Sequence, residues 1–470
     1  MDLEARDLTR KLSCFDRTAL AALRFVPGAR KNGVSDRVLL AMRGSAWTIG
    51  GYGAGQLLRL VTQLVLARKL LGPSAFGLAA LVMVFLSGLE MLSDLGLGLD
   101  VIQHPRGDDP RFINTAFLIQ AGRGLTLFGL AAALAFPFAQ FYHQPEVRWM
   151  IFVAAASIGL RGLASGSVWT MTRHVQLGKL TALNVGGDAA GLAVSIGWAM
   201  VSPTAWALVA GRVAGSAVYV IGSHLISEHP VSLAWDSIAA RDVLTFGIGM
   251  FLSSASYFLG GESERLILGK FVTVSELGCY SLASNIAAMP SRAVQQLVGQ
   301  VFFPMISRSV RESHETAVRH FTKPRLIFFG MSVLLGMGFI AYSNKLAAIL
   351  LGPRYLMVGW MLQLLGFRAA QDVFAAPTVT LILACGKPKY LAMANIARLF
   401  LVTGGLLAGF SRYGLHGAIV VLAVVPAIVY LFVLWGIAYN LRLAFWVDIA
   451  CFSAFLSLLA LASVVHWPWT

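Results

Sequence analysis

The chemistry-bearing residues of this 470-residue chain are arginines and carboxylates embedded in apolar sequence. Arg59, Arg123, Arg161, Arg212, Arg292, Arg368 and Arg398 each interrupt a run of Leu, Ala, Val, Phe and Gly, and so do Glu90, Asp94, Asp188, Glu262, Glu264 and Asp372. A charge at the centre of a bilayer costs at least about 2.5–3.5 kcal/mol on insertion scales. Such residues must therefore face a wet cavity or one another. Their spacing puts them on shared helix faces. Tyr52, Gln56, Arg59 and Gln63 fall at i, i+4, i+7 and i+11; Ser87, Glu90 and Asp94 form a second stripe. Ser253, Tyr257, Gly260 and Glu264 form a third, and Asn285, Arg292, Gln296 and Gln300 a fourth. Four stripes converging between helices describe a hydrophilic cleft sealed from lipid.

A cleft lined by arginine selects anions, because the planar guanidinium fork matches phosphate and carboxylate bidentately. The expected ligand-binding set is Arg59, Arg123, Arg161, Arg292 and Arg368 with Gln56, Gln63 and Gln296. Glu90, Asp94, Asp188, Glu264 and Asp372 are candidates for coupling movement to an ion. Simpler readings compete: Arg368 with Asp372 and Glu262 with Arg265 sit at distances along one helix that allow mutual neutralisation. Arg212, Arg265 and Arg398 are placed to snorkel to headgroups. Catalytic chemistry finds no support. There is no Walker loop, no HExxH, no Ser/His/Asp set, and Gly186-Gly187-Asp188 reads as helix packing. Cys14, Cys279, Cys385 and Cys451 are too scattered for a zinc site or disulfide framework. No metal, cofactor or catalytic residue is expected.

The elements that must carry these residues follow from composition. Apolar residues make up 57% of the chain and charged ones 13%, against about 25% charged in an ordinary soluble domain. The chain reads as an all-α polytopic membrane protein. The net charge of +15 does not signal nucleic acid, because the basic residues lie between apolar runs. Spans of about 20 residues are expected near 44–67, 75–97, 112–139, 148–171, 181–201 and 204–226. Further spans are expected near 243–262, 276–304, 326–351, 356–384, 390–410, 415–438 and 445–466, with a break or re-entrant bend between Lys345 and Met361. Residues 1–43 form a basic tail. The tail and the loops on its side hold 22 basic residues, against eight on the other side. The positive-inside rule then places the N-terminus in the cytoplasm. Arg308, Arg311, Arg319, Lys323 and Arg325 are counted in the richest of these loops.

Leu66-Ala-Arg-Lys-Leu-Leu-Gly-Pro-Ser-Ala-Phe-Gly77 returns 201 positions later as Ile267-Leu-Gly-Lys-Phe-Val-Thr-Val-Ser-Glu-Leu-Gly278. Lys69 aligns with Lys270, Ser74 with Ser275 and Gly77 with Gly278. The even number of spans between them makes this a parallel repeat about an axis along the membrane normal. The expected organisation is a tail (1–43), an N-lobe (44–226), a linker (227–242), a C-lobe (243–438) and an extra C-terminal helix (439–470).

The first hairpin, followed by Asp94-Leu-Gly-Leu-Gly, Ile102-Gln103 and Asn114-Thr-Ala-Phe, resembles that of polysaccharide biosynthesis flippases. These are the lipid-linked oligosaccharide translocases of the multidrug/oligosaccharidyl-lipid/polysaccharide exporter superfamily. The second half agrees through Glu264-Arg-Leu-Ile-Leu-Gly-Lys, Leu277-Gly-Cys-Tyr-Ser and Val301-Phe-Phe-Pro-Met-Ile-Ser-Arg308, so the resemblance covers roughly residues 44–440. It implies two six-helix lobes around a central cavity and alternating access. The implied cargo is an undecaprenyl-diphosphate-linked oligosaccharide crossing the bacterial inner membrane for O-antigen, capsule or exopolysaccharide synthesis. A polysaccharide polymerase and chain-length proteins are the implied partners. Departures are Glu264 where the family commonly has Asp, Asp100 in place of a small residue, and an odd number of spans. A related drug/cation antiporter, a membrane polymerase or glycosyltransferase, and a non-transporting scaffold are the alternatives. An arginine-rich cleft argues against the antiporter, and the absence of a large loop or acidic catalytic motif against the enzymes.

Overall fold

The computed structural model describes residues 36–227, 232–387, 389–440 and 442–465. Most of the basic tail lies outside them, although its last residues already belong to the first helix. Among the described residues no strand forms. The first half comprises α1 (Asp36–Val65), a π-helical turn (Leu66–Leu70), α2 (Pro73–Met91), α3 (Leu97–Gln103), α4 (Pro110–Phe141), α5 (Pro145–Gly162), α6 (Ser167–Arg173), α7 (Leu177–Val201) and α8 (Trp206–Leu225). In the second half, α9 (Ser237–Gly261) is followed by α10 (Ser263–Phe271), and α11 (Val274–Leu297) passes through a π-helical turn (Val298–Phe302) into α12 (Phe303–Glu312). Then come α13 (His314–Leu351), α14 (Met357–Ala384), α15 (Lys389–Asn440) and α16 (Arg442–Val465).

Local chemistry sets the helix starts. Proline opens α2, α4 and α5, where its missing N–H costs nothing. Asp109 and Asp236 cap α4 and α9 through their carboxylates, and Thr273 with Glu276 closes a capping box on α11. The expected break between Lys345 and Met361 is a tight turn rather than a re-entrant segment: Gly352 takes φ 83°, and α14 starts five residues later. α15 is two helices joined at Gly414, whose φ of 59° and ψ of −144° end the first and start the second. The expected spans thus fall on helices in the expected order. Among the described residues, five helices suffice by length and composition alone to cross a membrane, and the α5–α6 pair, bent by 60°, supplies one more. The protein is a multi-pass membrane protein.

Two lobes result. α1 packs on α7, α4 on α5, and α8 on both α5 and α7; in the second lobe α14 is wrapped by α11, α13 and α15. The lobes meet mainly along α2 and α11, and the contact has the symmetry that the repeat predicts. A Cβ on Gly77 would overlap the Val274 carbonyl, and one on Gly278 would overlap the Pro73 carbonyl. Both pairs are exchanged by the same 201-residue shift, so the pseudo-twofold runs through this crossing. Flanking bonds also cross the seam. Arg68 donates to the Ile349 carbonyl and Lys270 to that of Phe141. Tyr355 donates to the Leu71 carbonyl at 2.9 Å and Tyr142 to that of Leu266 at 2.8 Å. Arg68 and Lys270 are thus latches across a closed seam.

At the other end of the bundle, the segment leading into α9 is docked on the first lobe. Asn114 exchanges hydrogen bonds with Ser232, and Arg106 binds both Asp109 (2.7 Å) and Asp236 (2.6 Å). Beneath them Leu97, Val101, Phe112 and Ala116 pack on Ala239 and Val243. The side-chain hydrogen bonds of Arg106 to these carboxyls hold both below the ordinary carboxylate range. A depressed folded-state pKa stabilises above the unfolded value, and the effect fades as pH falls through the folded one. Stability should therefore decline on acidification from about pH 4 downward. Asp109→Asn and Asp236→Asn should each flatten that decline in thermal unfolding scans; an unchanged pH profile in both variants contradicts the linkage.

The extra helix α16 is tied in by charge. Arg325 and Asp448, both with no exposed side-chain surface, form an ion pair. Arg325 also donates to the Phe374 carbonyl (2.7 Å) and to Tyr430 (3.3 Å), and its guanidinium lies 3.7 Å from the centre of the Phe374 ring. Thr378 and Tyr430 donate to Asp448. Arg325 is therefore an interior residue, not the loop cation that its run of basic neighbours suggests, because its acid arrives from 123 positions away.

Candidate functional site

Most of the interior charges gather in two chambers, one in each lobe. In the first, a cavity of about 380 Å³ is bounded by α2, α4, α5, α6 and α8 and lined by Glu90, Asp94, Gln120, Arg123, Arg161, Trp169 and Tyr219. Arg123 is satisfied by the protein, whereas Arg161 is held by one hydrogen bond and a ring contact. Arg123 donates to the Glu90 carbonyl (2.7 Å) and to Ser93, while Arg161 donates to Ser216 and lies over the Tyr219 ring. Glu90 is neutralised by Arg212 at 3.1 Å, so Arg212 turns inward rather than to headgroups. Asp94 accepts from the Gly96 amide and from Ser254 of α9, linking the lobes at the chamber edge.

The second chamber, about 240 Å³, lies between α9–α10, α11, α14 and the first part of α15. Its wall carries Glu262, Glu264, Arg265, Arg292, Arg368, Asp372 and Arg398. Arg368 binds both oxygens of Glu264 (2.8 and 2.7 Å), and Tyr280 donates to the same carboxylate. Its acid is thus Glu264 from another helix, not the Asp372 suggested by helical spacing. Arg265 pairs with Glu262 at 2.7 Å, as the spacing allowed, and also donates to Asn285, yet its Nε is buried without an acceptor. Arg398 does not snorkel: it lines the chamber, and its Nε is likewise buried without an acceptor. Arg292 has no hydrogen-bond or ion-pair partner among the described residues. Donors desolvated without acceptors cost free energy, and an entering anion removes that cost.

The remaining expected residues fall elsewhere. Arg59, well exposed, pairs with Asp188 of α7 at 3.4 Å. Gln56 and Gln63 are not among the lining residues of either chamber, and the Gln63 Oε1 is buried without a donor. Gln295 rather than Gln296 reaches the second chamber. Residues that the stripes missed are Gln120, Trp169, Tyr219, Arg265 and Arg398. Arg212, Ser216 and Tyr219 stand at i, i+4 and i+7 on α8, the same signal that revealed the other stripes.

A helical two-lobe bundle with arginine-bearing interior chambers and a pseudo-twofold seam has the architecture of a membrane transporter. The chain belongs to the polysaccharide biosynthesis protein family, whose model matches residues 65–358. It is 22% identical over 381 residues to the succinoglycan biosynthesis transport protein ExoT of Rhizobium meliloti, covering 79% of this chain and 74% of that one. With the lipopolysaccharide biosynthesis protein WzxC of Escherichia coli it shares 21% over 362 residues, 75% and 72% of the two chains. Among solved structures, the lipid II flippase MurJ in an inward closed conformation matches 89% of this chain and 97% of its own, with a TM-score of 0.65 at 12% identity. A multidrug/oligosaccharidyl-lipid/polysaccharide exporter superfamily transporter from Pyrococcus furiosus matches 86% and 96%, with a TM-score of 0.55 at 14% identity. Both likenesses are of fold.

Proposed function

We propose that this protein is a flippase that moves oligosaccharide units, linked to undecaprenyl diphosphate, across the bacterial inner membrane for surface polysaccharide assembly. The N-terminus is cytoplasmic on the balance of basic loops, so the Gly77–Gly278 seam closes the outer end of the bundle. Alternating access then consists of parting that seam while the cytoplasmic end shuts. The glycan and its diphosphate travel through the chambers, and the polyprenyl chain stays in lipid. Asp94 and Asp372 are the carboxylates placed to couple the movement to an ion. The delivered units pass to a polymerase and chain-length proteins, and no bond is made or broken during transfer.

The observation that carries this reading is the pair Arg292 and Arg398, which present unfilled donors inside the membrane. A drug/cation antiporter has no use for them. Arg292→Gln and Arg398→Gln should each slow translocation of the lipid-linked oligosaccharide in proteoliposomes by about 10–100-fold. This corresponds to one charge-assisted hydrogen bond lost per variant, and both proteins should accumulate normally. Wild-type rates from both variants, or export of cationic dyes by the unaltered protein, would end the proposal.

A further inference from the structure

The two chambers differ in what they lack. We infer, building on the flippase reading above, that they divide the headgroup between them. The C-lobe chamber holds the diphosphate through Arg292 and Arg398, and the N-lobe chamber holds the sugars through Trp169, Tyr219 and Gln120.

In the N-lobe chamber, Arg123 and Arg161 are already hydrogen-bonded to serine hydroxyls and, for Arg123, to a backbone carbonyl. Binding a diphosphate through Arg123 would require breaking those bonds first, and the Arg161 guanidinium is already drawn over the Tyr219 ring. The lining acids, Glu90 and Asp94, equal the lining arginines in number, but Glu90 is paired with Arg212 from outside the wall, which leaves Asp94 facing Arg123 and Arg161. What the wall does offer is two large aromatic rings and an amide. Trp169 and Tyr219 line the cavity, Tyr219 with the Arg161 guanidinium over its ring, and flat aromatic rings with a polar edge suit the C–H face of a pyranose. Gln120 donates through Nε2 to the Arg161 carbonyl, which fixes its side chain and leaves Oε1 as an acceptor. Aromatic and amide-bearing surface recognises carbohydrate.

The C-lobe chamber shows the converse. Its lining as described includes no Trp, Tyr or Phe, and it carries four arginines against three acids. Two of these arginines are spent on Glu262 and Glu264, leaving Arg292 and Arg398 with Asp372. Two guanidinium groups with open donors match the several oxygens of a diphosphate. The neighbourhood of Arg398 gives the direction. Together with Asn395 and Asp372 it also borders a second cavity of about 210 Å³, walled largely by residues such as Val379, Leu391, Val429 and Phe452. A diphosphate is the joint between an apolar chain and a polar glycan, and Arg398 stands where an apolar wall meets a cationic one. This arrangement makes the diphosphate end common to every cargo and leaves the choice of glycan to the N-lobe.

The test uses the full-length protein in detergent and two probes: farnesyl diphosphate, which lacks sugar, and a short-chain polyprenyl diphosphate carrying one oligosaccharide unit. Farnesyl diphosphate affinity should fall about 10–100-fold in Arg292→Gln and Arg398→Gln. It should stay within twofold of wild type in Trp169→Leu and Tyr219→Leu. Those two variants should instead lower affinity for the glycosylated probe about tenfold, towards that of the sugar-free one. Trp169→Phe, which keeps a flat ring, should restore most of the difference. It also separates a lost sugar contact from a damaged fold, and Tyr219→Leu carries the same test should Trp169→Leu not accumulate. Loss of farnesyl diphosphate binding in Trp169→Leu, Tyr219→Leu or Arg123→Gln, with retention in the Arg292 and Arg398 variants, would overturn the division while leaving the flippase reading intact. Failure of the unaltered protein to bind either probe would overturn the flippase reading itself.

Discussion

Replacing Gly77 with valine is expected to abolish translocation, and Gly278→Val should do the same. At both positions the partner is backbone: a Cβ at Gly77 overlaps the Val274 carbonyl, and one at Gly278 overlaps that of Pro73. A flexible side chain can move aside, but a helix backbone cannot, so α2 and α11 must separate. Separation also breaks bonds that cross the seam, from Tyr355 to Leu71, Tyr142 to Leu266, Lys270 to Phe141 and Arg68 to Ile349. Three or four lost hydrogen bonds at about 1 kcal/mol each shift the equilibrium between open and shut seam by about 10²–10³-fold. A transporter held open at one end cannot cycle. The signature to measure is accessibility: a cysteine placed at Ser281, which is buried one turn below Gly278, should react with an impermeant thiol reagent far faster in Gly77→Val than in the parent, while transport drops below about 1% on the same scale. Slow labelling together with normal transport would show that the seam is not a gate. Because the twofold relates the two glycines, either substitution alone should suffice.

Removing Asp448 is expected to produce the largest loss of stability. With Asp448→Asn, Arg325 keeps the Phe374 carbonyl and Tyr430 but loses its counter-charge in a site with no solvent contact. Breaking one partner of a fully buried pair costs about 3–5 kcal/mol, more than the net worth of the pair, because the surviving charge is stranded. The same reasoning predicts a rescue. Arg325→Met combined with Asp448→Leu should recover most of the thermal stability lost in Asp448→Asn, since apolar replacements carry no desolvation penalty. Melting temperatures in detergent for the three proteins provide the check. If the double variant is no more stable than the single one, the quartet of Arg325, Thr378, Tyr430 and Asp448 acts through its specific bonds rather than its charge balance. The pair also explains how a helix beyond the two lobes stays attached. Phe455 and Leu459 of α16 bury against the C-lobe, and Asp448 fixes the register of that apolar face.

The chambers show where helical spacing was informative and where it misled. The stripe on α2 correctly brought Glu90 and Asp94 to one wall, and the α11 stripe brought Arg292 to another. Pairing along one helix was a poorer guide. Glu262–Arg265 formed as spaced, but Arg368 left Asp372 for Glu264, which lies 104 positions away. The reason is geometric: a side chain in a bundle meets neighbours from two or three other helices at hydrogen-bond distance, and one of these can offer a bidentate fit that a neighbour on its own helix cannot. Arg325 illustrates the same limit more sharply. Beside Arg319 and Lys323 it looks like a loop cation, and only the arrival of α16 makes it a core residue. The π-helical turns at Leu66 and Val298 had no sequence signal at all.

What the sequence determined alone was the solvent and the symmetry. Apolar runs of membrane length compel helices, because no water is present to satisfy a lipid-exposed backbone, and the 201-residue repeat imposed the twofold before any contact was known. Tertiary structure alone decided which charges are spent and which are left over. Every interior arginine has the same chemistry in the sequence. Packing gave Arg123, Arg161, Arg212, Arg325 and Arg368 acceptors from other helices, and among the described residues left Arg292 without a partner and the Arg398 Nε without an acceptor. Hydrogen bonding acts over about 3 Å, a range on which neighbours in space, not in sequence, determine whether a donor is satisfied.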